Sequence, residues 1–330
     1  MPRLRRWATG WLAITLVLGC GGCGALLEMA QDAGADAASD PGRGSETFVT
    51  WLTITGGNFG GDLTPAGKLE KSGGPAYVHF VFPLAVAARG ADVYIADAGL
   101  GKLFRYDLST HTLFAFSGAR AEAGVRLQVG LDRSVYVLDS RGRRVQRFNR
   151  DGRLLQVHED DGNLGEPADL ALDTETGEVL VADSLFNRLL AYRPAGRFSR
   201  LVLPKGEPLG KVTGLAVGPD GFYVLDSGTR RIVVMDRLGG ILYILGQGDL
   251  VDPVEIAADR GNRTYALERR TNTIKVFAGR RLAAEIAGTP VPAGPWAIRD
   301  IATDESFLYL ANGPGARIEV LRIMRGPRAP

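Results

Sequence analysis

A segment of about 43 residues recurs six times along the chain, and this repeat constrains the fold more than any other feature. Each copy contains an apolar segment, an acidic or amide residue, a short polar loop and a second apolar segment. The acidic or amide residues lie 42, 44, 43, 42 and 44 residues apart, and they are Asp97, Asp139, Asp183, Asp226, Glu268 and Asn312. A large residue precedes each of them by three positions, in the order Tyr94, Tyr136, Leu180, Tyr223, Tyr265 and Tyr309. Five positions after them come Lys102, Arg144, Arg188, Arg231, Thr273 and Arg317. Because these spacings are kept in every copy, the chain is predicted to repeat one structural unit six times.

Each copy is long enough for four short strands and shows no helical periodicity. The segments Asp151-Gly152 and Pro219-Asp220-Gly221 indicate hairpin turns between such strands. Residues 179–182 are apolar at successive positions, which is typical of a strand covered on both faces. Four strands in a period of this length are typical of a propeller blade. The predicted fold is therefore all-β, a six-bladed β-propeller of four-stranded blades.

The motif resembles the NHL repeat, a family that builds six-bladed propellers. In that repeat an apolar residue, a tyrosine, two apolar residues and an aspartate precede a small polar loop, an arginine and a strand that ends in an aromatic residue. Residues 222–235 and 135–148 match it best, and the resemblance covers roughly residues 80–324. The fifth copy departs from the pattern at Glu268 and Thr273, and the sixth departs at Asn312.

The acidic residue and the cation of each copy enclose a loop of four residues. We expect the two side chains to face each other across a hairpin and to form an exposed ion pair, which contributes about 0.2 to 1 kcal/mol. Asp139 and Arg144 are therefore interpreted as part of the scaffold rather than as a site.

The sixth copy ends before an outer strand can form, so another segment must close the ring. Residues 47–55 are β-branched and aromatic and are predicted as this closing strand, with residues 77–82 as the competing candidate. Residues 56–75 contain seven glycines and are predicted to form a long loop over the face that carries the loops between second and third strands. The propeller is predicted to span residues 47–324, with a short tail at 325–330.

The first 19 residues have the layout of a secretory signal, with Arg3, Arg5 and Arg6 before an apolar core at 11–18. The sequence Val17-Leu18-Gly19-Cys20 resembles the bacterial lipobox, which implies a lipid on Cys20. By the same resemblance, Gly21 in place of aspartate favours the outer membrane over the inner one. Residues 20–46 are rich in Ala, Gly, Asp and Ser and are predicted to be a disordered tether with a reach of about 25 to 30 Å. The competing interpretation is an ordinary secreted protein that is cut elsewhere.

Charge and cysteine content exclude several classes of function. Without the three arginines of the signal, the 39 cations fall to 36 against 37 anions, so the chain lacks the basic surplus of a nucleic-acid-binding protein. The only two cysteines, Cys20 and Cys23, lie near the amino terminus. The body of the protein therefore has no disulfide and no thiolate metal site.

The loops between the second and third predicted strands form the first candidate site. Five of their arginines are not needed for the repeated ion pair, and these are Arg141, Arg143, Arg230, Arg269 and Arg270. Guanidinium groups on one rim could bind carboxylates or phosphates bidentately. The competing interpretation is a solvated rim that keeps the protein soluble.

A catalytic set is hard to assemble from this sequence. His79, His111 and His158 fall at positions that are not expected to meet. Asp169, Glu255 and Asp300 lie beside the innermost predicted strands and are the carboxylates that could face the channel, where a metal or structural capping would account for them. No catalytic residue and no metal ligand is predicted.

These observations favour a lipid-anchored, extracytoplasmic, monomeric module that binds an envelope protein or an anionic ligand without a cofactor. The alternative is a lactonase-like hydrolase or lyase at the central channel. It would use a divalent cation such as Ca²⁺, because related six-bladed folds include calcium lactonases and zinc lyases.

Overall fold

The computed structural model describes residues 47–70, 74, 76–159, 162–287 and 297–324. The predicted signal peptide, Cys20, the tether and the tail at 325–330 lie outside the described residues. Within the described part, the regular structure consists of 27 strands, and no helix is long and apolar enough to cross a membrane.

Four strands precede the first repeat: β1 (Thr47–Ile54), β2 (Gly56–Leu63), β3 (Leu69–Glu70) and β4 (Tyr77–His79). The first repeat forms β5 (Pro83–Arg89), β6 (Asp92–Asp97), β7 (Lys102–Asp107) and β8 (Thr112–Arg120). The second forms β9 (Arg126–Val129), β10 (Val135–Asp139), β11 (Arg144–Phe148) and β12 (Leu154–Glu159). The third forms β13 (Pro167–Leu172), β14 (Val179–Asp183), β15 (Arg188–Tyr192) and β16 (Phe198–Val202).

The fourth repeat forms β17 (Val212–Gly218), β18 (Gly221–Asp226), β19 (Arg231–Met235) and β20 (Ile241–Leu245). The fifth forms β21 (Pro253–Ala258), β22 (Arg263–Glu268), β23 (Thr273–Ala278) and β24 (Arg281–Ala287). The sixth forms β25 (Ile298–Thr303), β26 (Phe307–Asn312) and β27 (Arg317–Met324). Each repeat belongs to its own sheet, and the sheets are called first to sixth in this order.

Five of the sheets contain four strands each, and the first sheet contains seven. The fourth strand of the sixth sheet is β1, which runs antiparallel to β27 with Thr47 opposite Met324 and Ile54 opposite Ile318. The innermost strands contact one another in the order β5, β9, β13, β17, β21 and β25, and β25 contacts β5. The chain is thus an all-β propeller with five four-stranded blades rather than the predicted six, because the remaining sheet, the first, contains seven strands.

The first sheet is enlarged because the glycine-rich segment forms a strand rather than the predicted loop. Strand β2 pairs in parallel with β8, from Asn58 opposite Thr112 to Leu63 opposite Phe116, and it also pairs with β3 and β4. The glycines permit this close approach, since a Cβ on Gly60 would lie 2.5 Å from Cε1 of Phe114. The segment therefore lies at the outer edge of the first sheet.

The hydrophobic core lies between successive sheets. The residues three positions before each acidic or amide residue are buried there, and Tyr94, Tyr265 and Tyr309 have no exposed surface. Large buried aromatic side chains each stabilise such a core by about 1.5 to 3 kcal/mol. The Tyr94 hydroxyl donates a hydrogen bond to the carbonyl of Arg133 in the second sheet, 3.1 Å away, so this layer also links neighbouring sheets.

The repeated acidic residue has a different role from the predicted one. The carboxylates of Asp97, Asp183, Asp226 and Glu268 are buried, and each accepts hydrogen bonds from two successive backbone N–H groups just before the innermost strand of its own sheet. The predicted cation lies opposite in register, but Arg188 and Arg231 are 3.4 and 3.6 Å from their carboxylates. The predicted exposed ion pair is found in the second repeat, where Nε of Arg144 lies 3.1 Å from the carboxylate of Asp139. In the other four sheets the acidic residue acts mainly by fixing the backbone just before the innermost strand.

Candidate functional site

A cavity of about 1080 Å³ opens at one end of the central channel. It is surrounded by the six hairpins that connect the first and second strands of each sheet. This is the end of the ring opposite to the loops that carry the predicted arginines. This concave surface is therefore not at the predicted rim.

The wall of this cavity is made by equivalent residues of the six innermost strands. Each of them pairs with the residue three positions before the acidic or amide residue of its repeat. These wall residues are Ala87, Gln128, Ala171, Ala216, Ala257 and Ala302, here called the alanine layer. All six line the cavity. Because five of the six side chains end at Cβ, the channel stays wide at this level.

A second set of equivalent residues lies two positions earlier along the same strands. Successive side chains of a strand alternate between faces, so this set points to the same face as the alanine layer and lies about 6.6 Å further along the channel. Each member pairs with the residue directly before the acidic or amide residue. The members are Ala85, Arg126, Asp169, Gly214, Glu255 and Asp300, here called the charged layer.

Arg126 holds the charged layer together across the channel. Its Nη2 lies 3.1 Å from Oε2 of Glu255, and its Nε lies 3.8 Å from Oδ1 of Asp169. Arg126 is in the second sheet and Glu255 in the fifth, which are opposite each other in the ring. The guanidinium group therefore spans the channel and closes it at this level.

Each carboxylate of the charged layer also binds backbone. Asp169 accepts a hydrogen bond from the N–H of Leu215 at 2.7 Å, and Asp300 accepts one from the N–H of Val86 at 2.7 Å. Both bonds join one sheet to the next. Glu255 accepts a bond from its neighbour Ile256 at 3.1 Å.

Burial and mutual repulsion shift the titration of these carboxyls. Burial and the nearby Glu255 raise the pKa of Asp300 to about 7, although Arg126 opposes the shift. Burial also raises the pKa of Asp169 and of Glu255, and each of them is raised further by a neighbouring carboxylate. One guanidinium cannot neutralise three buried carboxylates, so protons compensate for the remainder near neutral pH.

The cavity mouth contains arginines with no ion pair among the described residues. They are Arg89, Arg133 and Arg260, on the first, second and fifth sheets. Acidic residues at the mouth, by contrast, already have partners within the protein. Glu175 pairs with Arg237 at 3.0 Å, and Asp304 accepts bonds from the backbone N–H groups of Ser306 and Phe307. Unpaired positive charge is therefore available to a ligand at the mouth.

The arginines predicted from the sequence lie on the opposite rim and are exposed. Arg141 lies 3.4 Å from Glu122, whereas Arg143, Arg230, Arg269 and Arg270 form no ion pair within the described part of the chain. The backbone is left-handed at Arg143 and Arg230, with φ of 49° and 55°. The equivalent positions of the other four loops have the same conformation and carry Gly101, Asn187, Asn272 and Ala316.

The histidines do not meet, as expected. His111 hydrogen-bonds the hydroxyl of Tyr106 through Nδ1 at 2.7 Å, and His79 stacks on Tyr77 with ring centroids 4.7 Å apart. His158 is buried beside Tyr136 and Tyr192, and burial lowers its pKa to about 4.

The channel carboxylates do not suit a divalent cation. Among the described residues, no group of three or more His, Cys, Asp or Glu side chains has the arrangement of a metal site. The guanidinium of Arg126 already lies between Asp169 and Glu255, and its positive charge would repel a metal ion there. The residues therefore do not fit the Ca²⁺ of the alternative hypothesis, and no catalytic step is assigned to it.

Sequence reasoning identified the three carboxylates but missed Arg126. It also missed the alanine layer, which carries no chemical group of its own. The signal that points to these positions is their offset before the acidic or amide residue, which is 12 to 14 positions for the charged layer and 10 to 12 for the alanine layer.

No protein-family model matches the chain, and no curated protein matches it. Several solved structures, however, resemble the chain. The chain resembles virginiamycin B lyase from Staphylococcus aureus, with 13% identity, a TM-score of 0.55 and coverage of 74% of this chain and 96% of that one. It resembles a gluconolactonase from Xanthomonas campestris, with 18% identity, a TM-score of 0.57 and coverage of 74% and 87%. It also resembles a chain of a nidogen/laminin complex, with 18% identity, a TM-score of 0.53 and coverage of 64% and 84%. At these identities the likeness establishes the β-propeller fold and nothing about activity.

Proposed function

We propose that this protein is a lipid-anchored, extracytoplasmic propeller of the NHL type that binds a small molecule in its central cavity. In this proposal the seven-stranded first sheet counts as the sixth blade of the ring, and the protein is a binding module of the bacterial envelope rather than an enzyme. The alanine layer carries the proposal. Five alanines at equivalent positions keep open a cavity of about 1080 Å³, which larger side chains would fill.

The size and form of the cavity support a ligand. Ligand pockets typically enclose about 300 to 1,000 Å³ and combine apolar walls with a few placed polar groups. Here the alanine layer forms the wall with Gln128 as its one polar member, and charged groups stand at the mouth. The charged layer lies beyond this wall along the same strands.

The position of the first strand determines where the proposed tether would join the domain. Thr47 pairs with Met324, and the neighbouring Ile323 donates its N–H to the carbonyl of Ser306, which lines the mouth. A tether from a lipidated Cys20 would therefore join the domain beside the cavity. Its reach of about 25 to 30 Å would keep the mouth close to the membrane surface.

A cavity-filling substitution tests this proposal. Ala216→Trp places an indole in the alanine layer, while Leu185→Trp adds the same group to a rim position that is 56% exposed. A thermal-shift screen of envelope extracts and small-molecule libraries should find a ligand that stabilises the wild type and Leu185→Trp but not Ala216→Trp. Ala257→Leu, a smaller change, serves if the indole prevents folding. Equal stabilisation of folded cavity variants, or no ligand for the wild type, would refute the proposal.

The arginine rim supports a second binding role, toward an acidic protein of the envelope. Left-handed backbone favours glycine or asparagine, so Arg143 and Arg230 are not explained by the needs of their turns. Reversing the charge of Arg269 and Arg270 to glutamate should remove a partner recovered from envelope membranes. Recovery of the same partner by the reversed variant would exclude the rim as its binding site.

A further inference from the structure

We propose that the ligand of the cavity is a short peptide whose amino terminus binds the charged layer and whose carboxylate binds the arginines of the mouth. This inference rests on the proposed binding function and names the chemical class of the ligand.

The charged layer has too little positive charge for its carboxylates. Its six positions hold three carboxyl groups, on β13, β21 and β25, and a single guanidinium, on β9. The remaining positions, on β5 and β17, are occupied by Ala85 and Gly214 and add no charge. A ligand ammonium group would supply the second positive charge in place of a proton.

The layer also has unused hydrogen-bonding capacity. Oε2 of Glu255 is buried and lies 3.1 Å from the guanidinium, yet it makes no hydrogen bond of good geometry. Nε of Arg126 is likewise buried without a hydrogen-bond partner. A buried polar atom left in this state costs about 1 to 3 kcal/mol. An ammonium group has three N–H donors and could satisfy the carboxylate oxygens.

The route from the cavity to the layer passes five alanines and Gln128. The alanine layer lies about 6.6 Å before the charged layer. Within the charged layer, Gly214 occupies the position between Asp169 and Glu255 in ring order and has no side chain. A thin chain that ends in an amino group fits this route better than a ring or a branched group.

The mouth arginines define the other end of the ligand. Arg89, for example, lies four residues beyond Ala85 on the same strand, or about 13 Å along the channel. An extended peptide spans about 3.3 to 3.6 Å per residue, so three or four residues bridge this distance. The unpaired guanidinium groups would bind the terminal carboxylate.

Binding of the amino end should be linked to proton release. The carboxyls of the charged layer must be ionised to hold an ammonium group, and Asp300 titrates near neutral pH because it is buried. Affinity for the peptide should therefore increase as the pH rises from 6.0 to 7.5, where the peptide amine is still largely protonated.

Isothermal titration calorimetry with three matched probes tests the inference. Trialanine carries both charges, N-acetyl-trialanine lacks the positive one and trialanine amide lacks the negative one. At pH 7.5 we expect trialanine to bind at least tenfold more tightly than either analogue. Equal affinity of trialanine and its acetylated form at both pH values would overturn the inference.

Substitutions test which residues bind the amino end and which bind the carboxyl end of the peptide. Glu255→Gln should weaken trialanine at least tenfold and leave N-acetyl-trialanine unchanged, whereas Arg133→Gln should weaken both. Glu207→Gln, at an exposed position that pairs with Arg231 at 3.1 Å, is the matched control and should change neither. If other small molecules bind the wild type but not Ala216→Trp while no peptide binds, the proposed function stands and the peptide inference fails.

Discussion

Arg126 and Glu255 come from opposite sides of the ring, and their side chains meet across the channel with Nη2 of the arginine 3.1 Å from Oε2 of the glutamate. A single side chain thus links the second, third and fifth sheets through its contacts with Glu255 and Asp169. In most of the ring, by contrast, a sheet contacts only its neighbours.

Loss of Arg126 should be costly where the carboxyls are ionised. In Arg126→Met, three buried carboxyl groups lose their only cation, and removing one partner of a buried pair typically costs about 3 to 5 kcal/mol. We expect a loss of this size in urea unfolding at pH 8.5 and a smaller loss at pH 5.5, where the carboxyls are protonated. Arg141→Met, at the exposed rim, should change the free energy of unfolding little at either pH. Equal losses at both pH values would contradict the charge argument.

Asp300 should make the fold more stable in mild acid than at neutral pH. Its pKa in the folded state, about 7, is higher than in the unfolded chain, because the carboxyl is buried. The folded state therefore holds a proton that the unfolded state releases, and stability falls as the pH rises from about 4 to about 7 and then levels off. Asp300→Asn keeps an acceptor for the N–H of Val86 but removes this titration. The difference in free energy of unfolding between wild type and variant should shrink or reverse across that range, and a constant difference would refute the assignment.

The buried acid of the repeat should matter more than its cation. Asp183→Ala leaves the N–H groups of Gly165 and Glu166 without their acceptor, and we expect a loss of about 2 to 4 kcal/mol. Arg188→Ala removes a 3.4 Å contact with Asp183, a hydrogen bond to the carbonyl of Asn163 and a contact with the ring of Phe186. Because these contacts lie at a partly exposed position and leave no buried donor without a partner, the loss should be smaller, about 1 kcal/mol. Chemical denaturation measures both values. If Arg188→Ala has the lower free energy of unfolding of the two variants, the backbone interpretation of the motif is wrong.

The left-handed backbone at Arg143 should make this residue less favourable for folding than glycine. Arg143 has a φ of 49°, which a residue with a Cβ adopts at a cost of about 1 kcal/mol. Arg143→Gly should therefore raise the midpoint of thermal unfolding, whereas Arg143→Ala, which keeps the Cβ, should not. A glycine variant no more stable than the alanine variant would mean that the turn is unstrained.

The proposed lipid anchor has a direct test. Cys20→Ala removes the predicted acceptor of the lipid, so the protein should move from the membrane fraction to the soluble fraction. Cys23→Ala is the matched control and should stay with the membrane. A Cys20→Ala protein that still sediments with membranes would remove the anchor from the proposed function.

The blades could be predicted from the sequence because the buried tyrosine and the buried acid keep a constant distance along one strand. The channel could not be predicted in the same way. Glu255 and Asp300 precede the acidic or amide residue of their repeats by 13 and 12 positions, and Asp169 precedes Asp183 by 14, because the hairpins between first and second strands differ in length. Arg126 precedes Asp139 by 13 positions, so it aligns with Glu255 but not with Asp169, and the alignment does not show that these side chains meet across the channel.

The glycine-rich segment was mispredicted for a different reason. Glycine is usually a sign of a turn or loop, but Gly60 permits β2 to approach Phe114 of β8. Composition alone cannot distinguish a flexible glycine from one that makes room for a neighbouring side chain.

The pairing of β1 with β27 also sets the order in which the domain can be completed. Of the described strands β1 is synthesised first, and its edge stays unpaired until β27, the last of them, becomes available. An unpaired edge is a site of misassociation with other chains. Any truncation before β27 would leave β1 without its partner strand, so the ring could not close and the unpaired edge would persist in the product.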